Sequence, residues 1–164
     1  MDAYTLASWK DFFIATSGAS AAFAGLLFVG LSINLTRIIE LPGISGRAGG
    51  TLILLGNVLI SSVLGLVPQP SNAFGIELLC IGTIVWIVAT RLDAQAIRHR
   101  YYDSAYHGFQ RVVFSQLATL PLIIGAALFL LHIGGGLYWM IPALIFPLLV
   151  SMFNAWVLLV EILR

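Results

Sequence analysis

FFIATSGASAAFAGLLFVGLSINLT, residues 12–36, is the stretch whose reading decides the fold. It carries no charged side chain, and at about 1.5 Å per residue it is long enough to cross a hydrocarbon core of about 30 Å. Its first half is small rather than greasy: Ser17, Gly18, Ala19, Ser20, Ala21, Ala22, Ala24 and Gly25 leave little side chain on almost every face. Lipid tails gain nothing from such a surface, whereas a second helix can approach it closely and gain van der Waals contact. Gly18, Gly25 and Ser32 recur every seven residues, with Ala21 and Ala22 in the same seam. Such a seam serves either packing against the other spans of the chain or self-association into an oligomer.

The rest of the chain is of the same kind. Its 164 residues are 60% hydrophobic and 9% charged, against about 25% charged in soluble domains, so lipid is the solvent for most of this surface. Net charge is +1 and no long basic run occurs, which argues against a nucleic-acid partner. Cys80 is the single cysteine, so no internal disulfide forms. Ala22-Phe23-Ala24 looks like a signal-peptidase site, but Asp2 and Asp11 outweigh Lys10 ahead of it, and the apolar run continues to Leu35. A signal peptide needs a positive leader, so the segment reads as a retained span.

Further along, LPGISGRAGG (41–50) combines a proline, four glycines and Arg47 and reads as a loop. A second span follows at 51–67, closed by Pro68 and Pro70. Ser71 or Asn72 caps a third, 72–90, which stops at Arg91. Residues 91–111 are polar, and the uncharged run 112–160 is long enough for two spans hinged at His132-Ile-Gly-Gly-Gly136: 112–131 and 137–160. Pro121, Pro142 and Pro147 should kink these helices. The expected architecture is all-α, one integral membrane helical bundle of five transmembrane helices over residues 1–164.

Cations orient it. Arg37 and Arg47 flank the first connection, Arg91, Arg98, Arg100 and Arg111 the third, and Arg164 the C-terminus; the other connections carry none. The positive-inside rule places the N-terminus out and the C-terminus in, with 91–111 cytoplasmic. Trp9, Tyr138 and Trp139 then anchor the outer interface, and Trp156 the inner one.

Polar residues inside the spans are the remaining signals. Asn34, Asn57, Gln116 and Asn154 all fall within about 15 Å of the cytoplasmic boundary, counted along their helices. Buried amides need partners, so these four form either a layer of interhelical hydrogen bonds or a polar vestibule open to the cytoplasm. Glu77, the one acid inside a span, sits near the outer boundary at the depth of His132. It reads as a headgroup-level carboxylate or, with His132, as an outer cation site.

In the polar segment Arg91, Gln95, His99, Asp103, His107 and Arg111 recur every fourth residue, the mark of an interfacial helix or of two spans extended into the cytoplasm. His99, Asp103 and His107 have the spacing of a metal pair, but no Cys or second carboxylate supports them, and a solvated face is the simpler reading. Arg98 and Arg100 suit anionic lipid headgroups. No nucleophile–base pair, phosphate-binding loop or Cys/His cluster is present, so neither a catalytic residue nor a cofactor is expected.

Trp9-Lys-Asp-Phe-Phe13, GASAAFAGLLFVGLSINL (18–35) and Arg47-Ala48 ahead of TLILL (51–55) together resemble a group of small bacterial multi-span membrane proteins of uncharacterised function. The likeness covers about residues 9–70. It implies the bacterial cytoplasmic (inner) membrane and supplies no catalytic residue; some such sequences carry the label of modulators of a membrane-bound AAA protease. Two functions are therefore expected from different classes. One is a non-enzymatic multipass protein acting through helix–helix contact, as a homo-oligomer or on other membrane proteins. The other is a small oligomeric ion channel or carrier.

Overall fold

The computed structural model describes residues 4–40, 43–98 and 105–163, and from 108 to 160 the side chains of the last stretch. A 3-10 turn, Leu6–Trp9, leads into α1 (Lys10–Ile33). The short α2 (Leu35–Glu40), α3 (Ile44–Leu66), α4 (Ser71–Arg98) and α5 (Ala105–Leu130) follow, then a 3-10 turn, Gly136–Trp139, and α6 (Met140–Leu163). Among the described residues there is no strand, and five helices are long and apolar enough to cross a membrane.

α3, α4, α5 and α6 form a ring in which each packs on the next and α6 closes back on α3. α1 stands outside the ring, laid along α3 and barely touching α6. Consecutive long helices run antiparallel. One end of the bundle therefore gathers Trp9, Gln69 and the 132–139 turn, and the other gathers Glu40, Arg98 and Arg111. We call these the aromatic end and the arginine end.

The core follows from where bulky and small residues meet. Phe13, Phe74, Leu78, Leu122, Phe129, Leu137, Met140 and Leu144 are buried in one cluster, nearer the aromatic end. Phe13 stands edge-on to Phe74 at 6.0 Å, and Phe74 edge-on to Phe129 at 5.9 Å, a preferred aromatic geometry. Glycines make these approaches fit. A Cβ on Gly65 would stand 2.7 Å from the Phe13 ring, one on Gly75 2.7 Å from Leu130, and one on Gly125 2.7 Å from the Trp139 Cβ. A smaller cluster of Ile38, Ile44, Ala48 and Leu158 ties the arginine end.

Several boundaries differ from the sequence reading. LPGISGRAGG is helical from Ile44 onward: Gly43 takes the left-handed turn (φ 84°), and the Arg47 N–H already donates to its carbonyl at 3.1 Å. Glycine in a helix costs up to about 1 kcal/mol each relative to alanine. Here packing offsets that cost, with Ile44 and Ala48 buried and Leu92 lying 3.8 Å from a Gly50 Cβ position.

α1 ends at Ile33, short of residue 36: Asn34 leaves helical geometry (φ −109°, ψ 18°), and its side chain donates to the Gly30 carbonyl at 3.0 Å. Pro142 lies in the first turn of α6, where no intrahelical bond exists to lose, so it is no kink site. Pro121 and Pro147 do lie inside α5 and α6. Trp9 is 8% exposed, packed edge-on to Tyr138 at 5.2 Å.

The hinge is where the glycines placed it. His132, Gly134, Gly135 and Gly136 all have positive φ, which reverses the chain in a few residues. Within the polar segment, α4 runs on through Arg98 and α5 is already helical from Ala105, so both long helices extend past the uncharged spans.

Candidate functional site

α1 has two faces, and only one is used inside the chain. Phe13, Thr16 and Ser20 are buried, and Leu27 and Leu31 pack on the Ile38/Leu158 cluster further down. The contact with α3 is polar as well as apolar. The Thr16 and Ser62 hydroxyls bond at 2.8 Å, and the Ser20 hydroxyl donates to the Leu55 carbonyl at 2.6 Å. A buried hydroxyl needs such a partner, and these fix the axial register of α1 on α3.

The small-residue seam is on the other face. Gly18, Ala21, Ala22, Gly25 and Ser32 are all exposed, and no atom lies within 4 Å of a Cβ built on Gly18 or Gly25. Packing among the described residues therefore does not use the seam. Leu26, Phe28, Val29 and Ile33 flank it and are exposed too.

The structure gives partners to two of the four amides. Asn34 caps the end of α1 within its own turn, as above. Gln116 joins α5 to α4: its carbonyl oxygen accepts the Trp86 indole N–H at 2.7 Å, and its NH2 donates to the Thr90 hydroxyl at 3.3 Å. Asn154 is half-buried on α6. Asn57, 2% exposed, is buried on α3, and neither of its amide atoms has a partner.

Glu77 and His132 likewise engage different neighbours. The Glu77 carboxylate accepts from the Gln69 amide at 2.9 Å, and the same NH2 donates to the Leu64 carbonyl at 3.2 Å, joining the ends of α3 and α4. His132 is exposed and stacks on Tyr4 with ring centroids 5.4 Å apart. His99, Asp103 and Arg100 lie outside the described residues, and His107 is described in its backbone alone. Among the described residues no group of three His, Cys, Asp or Glu stands close enough to hold a metal ion. Arg98 is exposed at the end of α4.

Sequence reasoning passed over one pair. Asp93 falls between the teeth of the Arg91–Gln95 stripe, and this places it on the inner face of α4. Its carboxylate accepts from Arg111 Nε at 2.8 Å, with the two side chains 7% and 19% exposed. The signal was available, since Asp93 lies between Leu92 and Ala94, one turn from Ala89 and Ala96, off the charged face. Both helices are thereby clamped beyond their apolar stretches.

Compared with protein-family models, with curated proteins and with solved structures, the chain matches none.

Proposed function

We propose that this chain is a non-enzymatic multipass protein of the bacterial cytoplasmic membrane that acts through helix–helix contact made by the open face of α1. The observation that carries the reading is the seam: a long apolar helix presents Gly18, Ala21, Ala22, Gly25 and Ser32 outward, with open space above both glycines. In lipid, helices associate through close packing of small residues, and this face offers the backbone to a partner without side chains in the way. The occupant we favour is a second copy of the chain; another membrane protein is the other case. The arginines at the Arg98/Arg111 end support an N-terminus outside and a C-terminus inside, with Arg98 and Arg100 at anionic headgroups.

Cysteine crosslinking in native membranes tests the reading. In a Cys80→Ala background, Ala22→Cys should crosslink between copies, whereas Ser20→Cys, on the face against α3, should not. A second copy meeting Ile84→Cys on α4 as readily as Ala22→Cys would remove the support for the seam. One observation favours a small oligomeric channel as the second reading: Glu77 is half-buried at the end of α4, and copies arranged around an axis would form a ring of carboxylates there. Reconstituted ion flux abolished by Glu77→Gln would establish that reading over the first.

A further inference from the structure

Seven hydroxyl side chains are buried among the described residues: Thr16, Ser20, Thr51, Ser61, Ser62, Thr119 and Ser151. Five are bonded. Thr16 and Ser62 bond each other, Ser20 reaches the Leu55 carbonyl, and Thr51 and Thr119 turn back onto the carbonyls of Arg47 and Ser115. Turning back onto the carbonyl four residues earlier is open to any helical serine or threonine. Ser61 and Ser151 have no partner, although they are 1% and 0% exposed.

Helix geometry brings these two hydroxyls to the level of Asn57. Asn57 and Ser61 are four apart on α3 and share a face, with Cβ atoms about 5–6 Å apart. Ser151 belongs to α6, which packs on α3 in the antiparallel sense. Ala48 and Leu158 pack in one cluster, and counting nine residues inward from each sets Asn57 level with Leu149, two residues from Ser151. Pro147 lies in the same stretch of α6 and brings no N–H to the carbonyl of Ala143, which is buried at 0%.

By this count one stretch of the α3–α6 pair carries an amide donor, an amide acceptor and two hydroxyls, with a carbonyl deprived of its helical donor close by along α6. We infer that this stretch is an internal water-binding site, in which one or more bound waters bridge Asn57, Ser61 and Ser151. Water fits because the unmet atoms include both donors and acceptors, and a water molecule offers both. Two hydrogen bonds in series span about 5.5 Å, the reach needed between side chains on one face that stand too far apart to bond directly. A metal cation fits worse: the Asn57 NH2 repels it, and no carboxylate is among the groups gathered here to neutralise it. Buried waters of this kind make about three hydrogen bonds to otherwise unmet polar groups, and this site supplies that many.

The test uses the full chain, uniformly labelled with nitrogen-15 and carbon-13, in lipid bilayers, with solid-state NMR transfer from water. The Asn57 amide signal is assigned by its loss in Asn57→Leu or, if that variant does not fold, by backbone connectivity. We expect water to polarise the Asn57 amide at least threefold faster than the backbone amide of Leu55, which is 0% exposed. A water-soluble gadolinium chelate should leave that signal unrelaxed, because the site is enclosed. Ser61→Ala with Ser151→Ala keeps Asn57 and should lower the transfer at least twofold. Build-up at Asn57 as slow as at Leu55 would overturn the proposal. So would transfer unchanged by the double serine variant, or relaxation by the chelate, which would make the site an open vestibule.

Discussion

Replacing Gly65 with alanine should loosen α1 from the bundle, and the size of the effect follows from one contact. The added Cβ would stand 2.7 Å from two atoms of the Phe13 ring and 2.8 Å from a third. Ordinary carbon–carbon contact begins near 3.5 Å, so the ring must retreat by roughly 0.8 Å. It has nowhere to go. Phe13 is 0% exposed, stands edge-on to Phe74 at 6.0 Å and is flanked by Phe12 at 6.0 Å. Overpacking of this kind costs about 1–3 kcal/mol, and we expect the upper half of that range because the clash is with three ring atoms at once.

Thermal unfolding in mild detergent reads it, with Gly30→Ala as the control because nothing lies within 4 Å of that Cβ and Gly30 is off the seam. Phe13→Leu in the Gly65→Ala background should recover part of the loss, giving a coupling of about 1 kcal/mol or more between neighbours in contact. If Gly65→Ala melts with Gly30→Ala, the placement of α1 on α3 is wrong.

Three further outcomes follow from other contacts. Arg111→Leu leaves the buried Asp93 carboxylate without its 2.8 Å partner and should destabilise by about 3 kcal/mol, while Asp93→Leu/Arg111→Leu together should cost less than Arg111→Leu alone, by chemical denaturation in detergent. Gln116→Leu removes the acceptor of the Trp86 indole and should cost about 1 kcal/mol, with a blue shift of the Trp86 emission in a variant retaining Trp86 as its only tryptophan. In a Cys80→Ala background, Pro70→Cys should react with an impermeant reagent from outside the cell and Ser104→Cys should not; the opposite pattern reverses the orientation.

The number of long helices was legible in the sequence because charges, prolines and a glycine triplet punctuate otherwise unbroken apolar runs. Boundaries were less so. The glycines of 41–50 read as a loop by composition, yet only Gly43 takes a positive φ, and the helix that follows is held by tertiary contacts no local rule contains. The direction of α1 was hidden for a related reason. Its small residues cover almost every face, and the face turned to α3 is chosen by Phe13 fitting against Gly65, a match between residues far apart in sequence. Asp93 was passed over because the fourth-residue stripe of charges on its outer neighbours drew the eye from the buried side of α4. The polar groups within the spans were correctly visible as polar, but which of them meet depends on helix rotation, which their spacing does not encode.

The central claim is that the outward face of α1 joins copies of the chain, and native mass spectrometry from a mild detergent tests it most directly. Gly25 and Gly30 both have open space around them inside the chain, so a leucine at either leaves the fold of one copy intact; they differ in that Gly25 lies on the seam and Gly30 about 140° away around the helix. The wild type should appear as a multiple of 17.7 kDa, Gly30→Leu should match it, and Gly25→Leu should fall to the single-chain mass. A wild type at the single-chain mass, or identical behaviour of the two variants, would contradict the claim.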